Sequence, residues 1–313
     1  MNFETVGTKE GLYENIEIPE KFGPIEYVVD DHKIKTAAYT HDDYHPWYFD
    51  NSPFGKRIGH AYILANDLLS LFLLKYDPNS IIGLHTQEEL WFHNPVFAGE
   101  KVTLEGEYVD KYVKRNKGYV VMNAEARGED GRLLVRHRGI EIMRVNVGSV
   151  VAKGTEKKIE NKVTGEFDKS LTPAKEASED IDIGTPIQSV SKTTSQEQAS
   201  VFSWVGKYFK NIHNDLDAAK RAGLELPLVQ GQQQVGYLTE MLVSFFGKSW
   251  FTSGWIKVKF IHPVTVGETV TARGVVKEKL KENGKTKLNL EIWVENSEGK
   301  LTTVGWASAY VNS

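Results

Sequence analysis

The sequence predicts an α+β protein made of two tandem copies of one domain, each a long central helix wrapped by an antiparallel β-sheet. Three observations carry this. A stretch of the first half recurs in the second without a gap, each half holds one apolar segment of helical spacing, and alternating runs punctuated by glycine turns follow each of those segments.

The recurrence sets FHNPVFAGEKVTLEG (92–106) against FIHPVTVGETVTARG (260–274), an offset of 168 residues. Pro95 falls on Pro263, Val96 on Val264, Gly99 on Gly267, Glu100 on Glu268 and Gly106 on Gly274. The same offset carries Gly131-Arg132-Leu133 onto Gly299-Lys300-Leu301, so the register persists through a whole sheet. A chain of 313 residues has room for two ordinary domains. We expect one at 1–150 and one at 181–313. The segment between, 151–180, is rich in Lys, Glu, Ser and Thr and suits an exposed connection between domains.

The predicted helices span 61–76 and 232–246. In the second, Val235, Leu238, Met241, Leu242, Phe245 and Phe246 recur at helical spacing. The alternating runs 102–113, 118–129 and 133–145 read as strands of the first copy, and 255–264, 270–280, 286–296 and 301–311 as strands of the second. Turn signals at 129–131, 282–284 and 297–299 make these antiparallel hairpins, half buried on the helix.

Composition narrows the function. Lys plus Arg total 38 against 42 for Asp plus Glu, a net charge of -4 that gives no electrostatic reason to bind nucleic acid. With no cysteine there is no disulfide, thiolate nucleophile or cysteine zinc site, which fits a reducing cytoplasm. The N-terminal stretch lacks the basic-then-apolar pattern of a secretory signal. The most apolar segment, 61–74, is interrupted by Asn66 and Asp67 and is too short for a bilayer core of about 30 Å. We therefore expect a cytoplasmic protein with no membrane and no nucleic-acid partner.

Ionisable and aromatic residues gather in the loop before each helix. In the first copy that loop contains Asp43-Tyr44-His45-Pro46-Trp47-Tyr48. In the second it contains Ile212-His213-Asn214-Asp215, then Ala218-Ala219, Ala222-Gly223 and Pro227-Leu228-Val229-Gln230-Gly231. This second set resembles the signature of the MaoC-like (R)-specific enoyl-CoA hydratase/dehydratase family. That signature is an Asp, then Asn-Pro-Ile-His, then His-Gly or Gln-Gly opening the central helix, and the paired PVxxGE segments resemble the strand that follows. The likeness covers nearly the whole chain and implies a double hotdog fold.

The resemblance implies a reaction as well. An Asp and a His share one water, which is added across a trans-2-enoyl thioester, and a backbone N–H at the helix start stabilises the enolate oxygen. The chemistry is sound on general grounds, because conjugate addition builds charge on the thioester oxygen, where a fixed dipole lowers the barrier. It also needs a proton donor and acceptor close to neutral pKa, and a helix N-terminus supplies the dipole. Here the matching N–H is that of Gly231.

Neither copy holds the family pair complete. Tyr208 stands where the family has Asp, five residues before His213, and Lys210 stands for the Asn. The first copy keeps Asp43 and Pro46 but has Tyr48 in the His position. Two arrangements remain open: His213 working with Tyr208 or Asp215, or a rearranged first-copy site drawing on Asp42, Asp43 and His45. Asp43 and His213, related by the pseudo-twofold, are expected to lie too far apart to share a water. Asp215 also reads as a helix cap. Candidate substrate contacts are Gln230, Gly231, Tyr48, Trp47 and Asp215. Between the helix starts, His60-Ala61 against Gln230-Gly231 favours the second copy, since Ala tolerates close backbone approach less well than Gly.

The expected activity is hydration or dehydration at a 2-enoyl-CoA/3-hydroxyacyl-CoA thioester, with CoA entering only as part of the substrate and no further cofactor. His41, Asp42, Asp43 and His45 have the composition of a metal site without its spacing, so no metal is expected. A hotdog thioesterase or a non-catalytic acyl-thioester-binding subunit are the alternatives. A homodimer of the double unit is the expected assembly.

Overall fold

A computed structural model describes residues 6–81, 83–145, 162–203, 210–282 and 284–311. Strands β1 (Glu20–Val29), β2 (Gly83–Phe92), β3 (Glu100–Lys114), β4 (Lys117–Gly128) and β5 (Leu133–Met143) belong to the first copy. Strands β6 (Val190–Thr193), β7 (Trp255–Phe260), β8 (Thr269–Glu282), β9 (Lys285–Asn296) and β10 (Leu301–Tyr310) belong to the second. They form one ten-stranded sheet in the order β1-β3-β4-β5-β2-β7-β10-β9-β8-β6. That order reads the same from both ends, and β2 and β7 pair antiparallel at the centre, with Trp91 opposite Trp255 and Leu90 opposite Ile256. The sheet is thus two five-stranded copies fused edge to edge, each capping the other's exposed edge.

Hairpin turns set the register. Gly131 and Gly299 sit at φ 80° and 76°, a region costly to any residue with a Cβ, which is why the two turns share a glycine at the same offset. Along the strands buried and exposed residues alternate, and Val102, Leu104, Ala126, Leu134, Leu288, Leu290 and Ile292 enter one apolar core running through both copies.

The helices are α1 (Asp31–His41), α2 (Ala65–Leu69), α3 (Gln196–Phe202), α4 (Leu216–Arg221), α5 (Gly231–Phe246) and α6 (Lys248–Ser253). Helix α5 matches the second predicted helix within one residue, and its buried face includes Val235, Leu238, Met241, Leu242, Phe245 and Phe246. The first prediction is corrected. Residues 61–64 are turns, α2 has only five residues, and a 3-10 segment, Ser70–Leu74, follows it. The segment is as apolar as expected, but Asn66, Asp67 and Ser70 are weak helix formers. Asp67, inside the short α2, is committed to a tertiary contact with Lys33, 2.6 Å away, and with the Tyr27 hydroxyl. Burial of an apolar segment therefore did not require a regular helix.

The connecting segment is laid against the second copy where it is described. The N–H groups of Thr164 and Gly165 both donate to Glu291 Oε1, at 2.8 and 3.0 Å. The N–H of Ala177 donates to the Phe245 carbonyl and that of Ile187 to the Gly274 carbonyl, at 2.8 and 2.9 Å. Many of its side chains stay exposed while its backbone is held. Among the described residues, no helix is long and apolar enough to cross a membrane.

Candidate active site

The loops before the two helix positions repeat the same backbone hydrogen bonds. Ile58 N–H donates to the Trp47 carbonyl at 3.2 Å, and Leu228 N–H to the Ile212 carbonyl at 2.9 Å. Gly59 N–H reaches the Val96 carbonyl at 2.9 Å, and Val229 N–H the Val264 carbonyl at 2.8 Å. These pairs put Tyr48 in the place of His213 and His60 in the place of Gln230. Tyr208, the counterpart of Asp43, lies outside the described residues.

In the first copy the loop is sealed. Asp43 and Tyr48 are 2% and 1% exposed, and His60 is fully buried. His60 Nε2 donates to the Asp43 carbonyl at 3.0 Å, and the His60 ring lies on the Tyr48 ring with centroids 3.6 Å apart. The Tyr62 hydroxyl donates to Asp43 Oδ2 at 3.4 Å. His45, half-buried, accepts the Trp47 N–H on Nδ1 at 3.3 Å and so caps the 3-10 turn Pro46–Tyr48. Trp47 leans its ring towards Phe251.

Helix α5 closes the loop from the other side. Lys192 Nζ, on β6, lies 2.8 Å from Glu240 Oε2 and donates to the Asp42 carbonyl at 2.5 Å. Burial raises the Glu240 carboxyl to about 7, helped by the Asp43 charge and opposed by Lys192. Burial likewise raises Asp43 to about 6, against Lys192. One ammonium thus faces two carboxylates whose pKa values burial pushes up towards neutral pH. His41 completes the wall, with Nδ1 at 3.1 Å from the Ala37 carbonyl and its ring 4.3 Å from that of Tyr62. Among the described residues, no group of three or more His, Asp or Glu is arranged to hold a metal ion.

The second copy is built differently. Asn211 and Asn214 hold the turn: the Asn211 N–H donates to Asn214 Oδ1 at 2.8 Å, and Asn211 Oδ1 accepts the N–H of His213 at 2.8 Å. His213, half-buried, points Nδ1 at the Leu228 carbonyl, 2.8 Å away. A carbonyl can only accept, so Nδ1 carries the proton and Nε2 is the basic nitrogen. Burial lowers His213 to about 4, opposed by the Leu228 hydrogen bond, so the ring is neutral at physiological pH.

Three residues past Leu228 begins the 16-residue helix α5. Gln230 is its N-cap, its own N–H donating to Gln233 Oε1 at 3.3 Å. The Gly231 N–H, in the first turn, has no intrahelical acceptor and faces out along the positive end of the helix dipole. A Cβ on Gly231 would stand 2.9 Å from the Phe260 ring, which would have to shift to admit it. The first copy has no such device, because residues 61–64 are turns and α2 is five residues long. Glu240 lies nine residues into the helix from Gly231, about 13 Å along the axis at 1.5 Å per residue. Glu240, on the Asp43 side, and the helix start that follows the His213 loop are therefore well apart along α5.

Asp215 accepts the Ala218 N–H at 2.8 Å as the N-cap of α4 and lies 3.4 Å from Lys210 Nζ. Replacing it by alanine is expected to cost about 1 kcal/mol of stability through the lost cap and to leave turnover within a fewfold. Thermal melting and steady-state rates of Asp215→Ala check both parts; a collapse of turnover at unchanged stability would make it a substrate contact.

Residues 180–299 match the family model described as the MaoC like domain. The family match thus falls on the second copy. The chain is also 26% identical over 204 residues to peroxisomal multifunctional enzyme type 2 of Drosophila melanogaster, covering 63% of this chain and 31% of that protein. It thus spans about a third of the length of that relative. Among solved structures it resembles a MaoC-like dehydratase, with TM-score 0.71, 15% identity, 97% of this chain and 98% of the other covered. A conserved protein of Mycobacterium tuberculosis with a double hotdog fold matches with TM-score 0.66 and 12% identity, covering 96% and 98% of the two chains. The MaoC-like fold therefore runs over both copies, as a double hotdog, although the family match itself falls on the second. That match encloses His213 and Gly231. Lys192, Glu240 and Tyr62 were not singled out from the sequence, and His41 was named there only in the cluster weighed as a metal site. Of the first three, Glu240 alone left a trace, as the one carboxylate in the run 232–246.

Proposed function

We propose that the protein is a hydro-lyase acting on 2-enoyl and 3-hydroxyacyl thioesters of CoA, with its chemistry in the second copy. The observation that carries the reading is a neutral, oriented histidine in the loop that leads to the N-terminus of a long helix, inside the matched MaoC-like segment.

The thioester oxygen lies at the Gly231 N–H. His213 Nε2 takes a proton from water while the water oxygen bonds to C3 of the enoyl group. The C2–C3 π electrons move towards the thioester oxygen, where the N–H and the helix dipole stabilise the developing enolate. The proton on Nε2 is then delivered to C2, which completes the addition and restores neutral imidazole. The reverse sequence is dehydration. The sealed Asp43 loop serves as a structural counterpart that seats α5 against the first copy.

Crotonyl-CoA tests the reading. Loss of the enoyl absorbance without release of free thiol is the expected result; thiol release would make the protein a thioesterase, and neither change would leave a binding protein. The acid limb of kcat/KM should fall near pH 4, where His213 protonates, and not near 6.5, the value of an unperturbed histidine.

A further inference from the structure

A third set of buried polar groups belongs to neither loop. A bulge between His85 and Gln87 shifts the register of β2, so that His85 and Glu88 meet side by side. His85 Nε2 lies 3.1 Å from Glu88 Oε2, and His137 Nε2, from β5, lies 3.0 Å from the same oxygen. Glu141 on β5 and Tyr108 on β3 extend the set; the Glu141 charge acts on both His85 and Tyr108. Glu88 is fully buried, and Tyr108, His137 and Glu141 are at most 9% exposed. Four of their atoms have no hydrogen-bond partner among the described residues: Glu88 Oε1, His137 Nδ1, Glu141 Oε2 and the Tyr108 hydroxyl.

The fold does not require any of this. At the 168-residue offset, the positions of Glu88, His137, Glu141 and Tyr108 are Ile256, Gly305, Ala309 and Val276 in the second copy. Ile256, Ala309 and Val276 are fully buried there as ordinary core. Glu88 pairs with Gly139 in the sheet just as Ile256 pairs with Ala307, so the equivalence holds in register. Burying four polar atoms without partners costs their full desolvation, which an apolar core avoids.

The set also has a direction. The His85 ring stands 4.8 Å, centroid to centroid, from the Phe260 ring, which is the ring packed against Gly231. It therefore begins one aromatic ring away from the helix start that holds the thioester in the reading above. At its far side His137 and Leu69, the last residue of α2, both border the space beside Gly139, where the first copy lacks a long helix.

We propose that His85, Glu88, His137, Glu141 and Tyr108 form a recognition subsite for a hydroxyl-bearing acyl tail, so that the protein prefers hydroxylated acyl thioesters over plain alkyl ones. The inference rests on the hydro-lyase reading for where the thioester lies. Its chemistry follows from the unpartnered atoms. Glu88 Oε1 accepts; His137 donates from Nε2 to Glu88, which leaves Nδ1 as an acceptor; the Tyr108 hydroxyl donates. A hydroxyl both donates and accepts and answers this mixture, whereas an alkyl chain leaves every one of these groups bare. Sites built to hydrogen-bond a substrate hydroxyl discriminate strongly against analogues without it.

The test uses the full chain and trans-2-enoyl-CoA esters of increasing length, each with and without a terminal hydroxyl. Hydration rates are read together with the thermal shift produced by the matching saturated acyl-CoA esters. The expected result, at the length that reaches the subsite, is a preference of about tenfold or more for the hydroxylated ester in kcat/KM, with a larger thermal shift. Tyr108→Phe removes only the unpartnered hydroxyl and keeps the ring against Phe22, so it should narrow that preference without lowering Tm. Glu88→Ile, which installs the second-copy residue, should abolish it. Hydration of every ester without preference, unchanged in Tyr108→Phe, overturns the subsite and leaves the hydro-lyase reading intact. No hydration of any ester, combined with a hydroxyl-selective thermal shift lost in Tyr108→Phe, overturns the hydro-lyase reading and keeps the subsite. No hydration and no selective shift overturns both.

Discussion

His213→Ala is expected to lower the rate of crotonyl-CoA hydration by about 10²–10⁴-fold, the usual contribution of a positioned acid/base group, while the protein keeps its fold. The argument is local. His213 donates to a backbone carbonyl, and its own N–H is held by Asn211. Removing the ring takes away one hydrogen bond and a half-buried surface at a loop, a modest loss of stability. What disappears is the only described histidine at the start of a long helix. KM for the thioester should change little, because in the proposed pose the thioester oxygen is held by the Gly231 N–H and not by His213. Equal activity in the variant and the parent would remove His213 from the chemistry.

Gly236→Ala is expected to destabilise the whole protein by about 3 kcal/mol, at the upper end of the cost of overpacking a core. A Cβ at Gly236 would stand 2.1 Å from Cδ2 and 2.5 Å from Nε2 of His41. His41 cannot yield, since it is 2% exposed, tied through Nδ1, and enclosed by the rings of Tyr62, Phe202 and Tyr237. This is the contact between α1 of the first copy and α5 of the second, and Gln233 Nε2 bonds the Thr40 carbonyl across the same boundary at 3.2 Å. A single cooperative thermal transition shifted down by several degrees is the expected readout. Unchanged melting would mean that α1 moves off α5 without penalty.

How far the sequence disclosed this molecule depends on the range of the interactions. The strands β3, β4, β5, β8, β9 and β10 were legible from alternation and turn glycines, which are local properties. Strands β1, β2 and β6 passed unnoticed. Glu20–Val29 carries a proline and Val190–Thr193 has four residues, so neither shows a clear period, and β2 has a bulge that breaks its own. The first helix was overread because apolar content was taken for regularity, whereas Lys33 and Tyr27 pull Asp67 into a tertiary cluster.

The candidate site divides in the same way. His213, Gln230 and Gly231 stand within one loop and the helix it leads into, and the sequence shows them together. Asp43 was equally visible, but its surroundings were not. Lys192 and Glu240 reach it from 149 and 197 residues further along the chain, and only the packing of α5 on the first copy reveals that its loop is closed. The polar set on β2, β3 and β5 is assembled from strands that are individually unremarkable, and it becomes visible when the two copies are compared position by position.

The central claim is that chemistry belongs to the second copy and that the Asp43 loop is structural. Asp43→Asn tests it most directly, since the amide keeps the shape of the carboxyl and removes its charge and its exchangeable proton. With crotonyl-CoA as substrate, hydration by Asp43→Asn should stay within about threefold of the parent, while the melting temperature moves as the Asp43 charge beside Glu240 and Lys192 is lost. A loss of hydration by Asp43→Asn as deep as that of His213→Ala, at unchanged melting temperature, would place the reaction in the first copy and contradict the account.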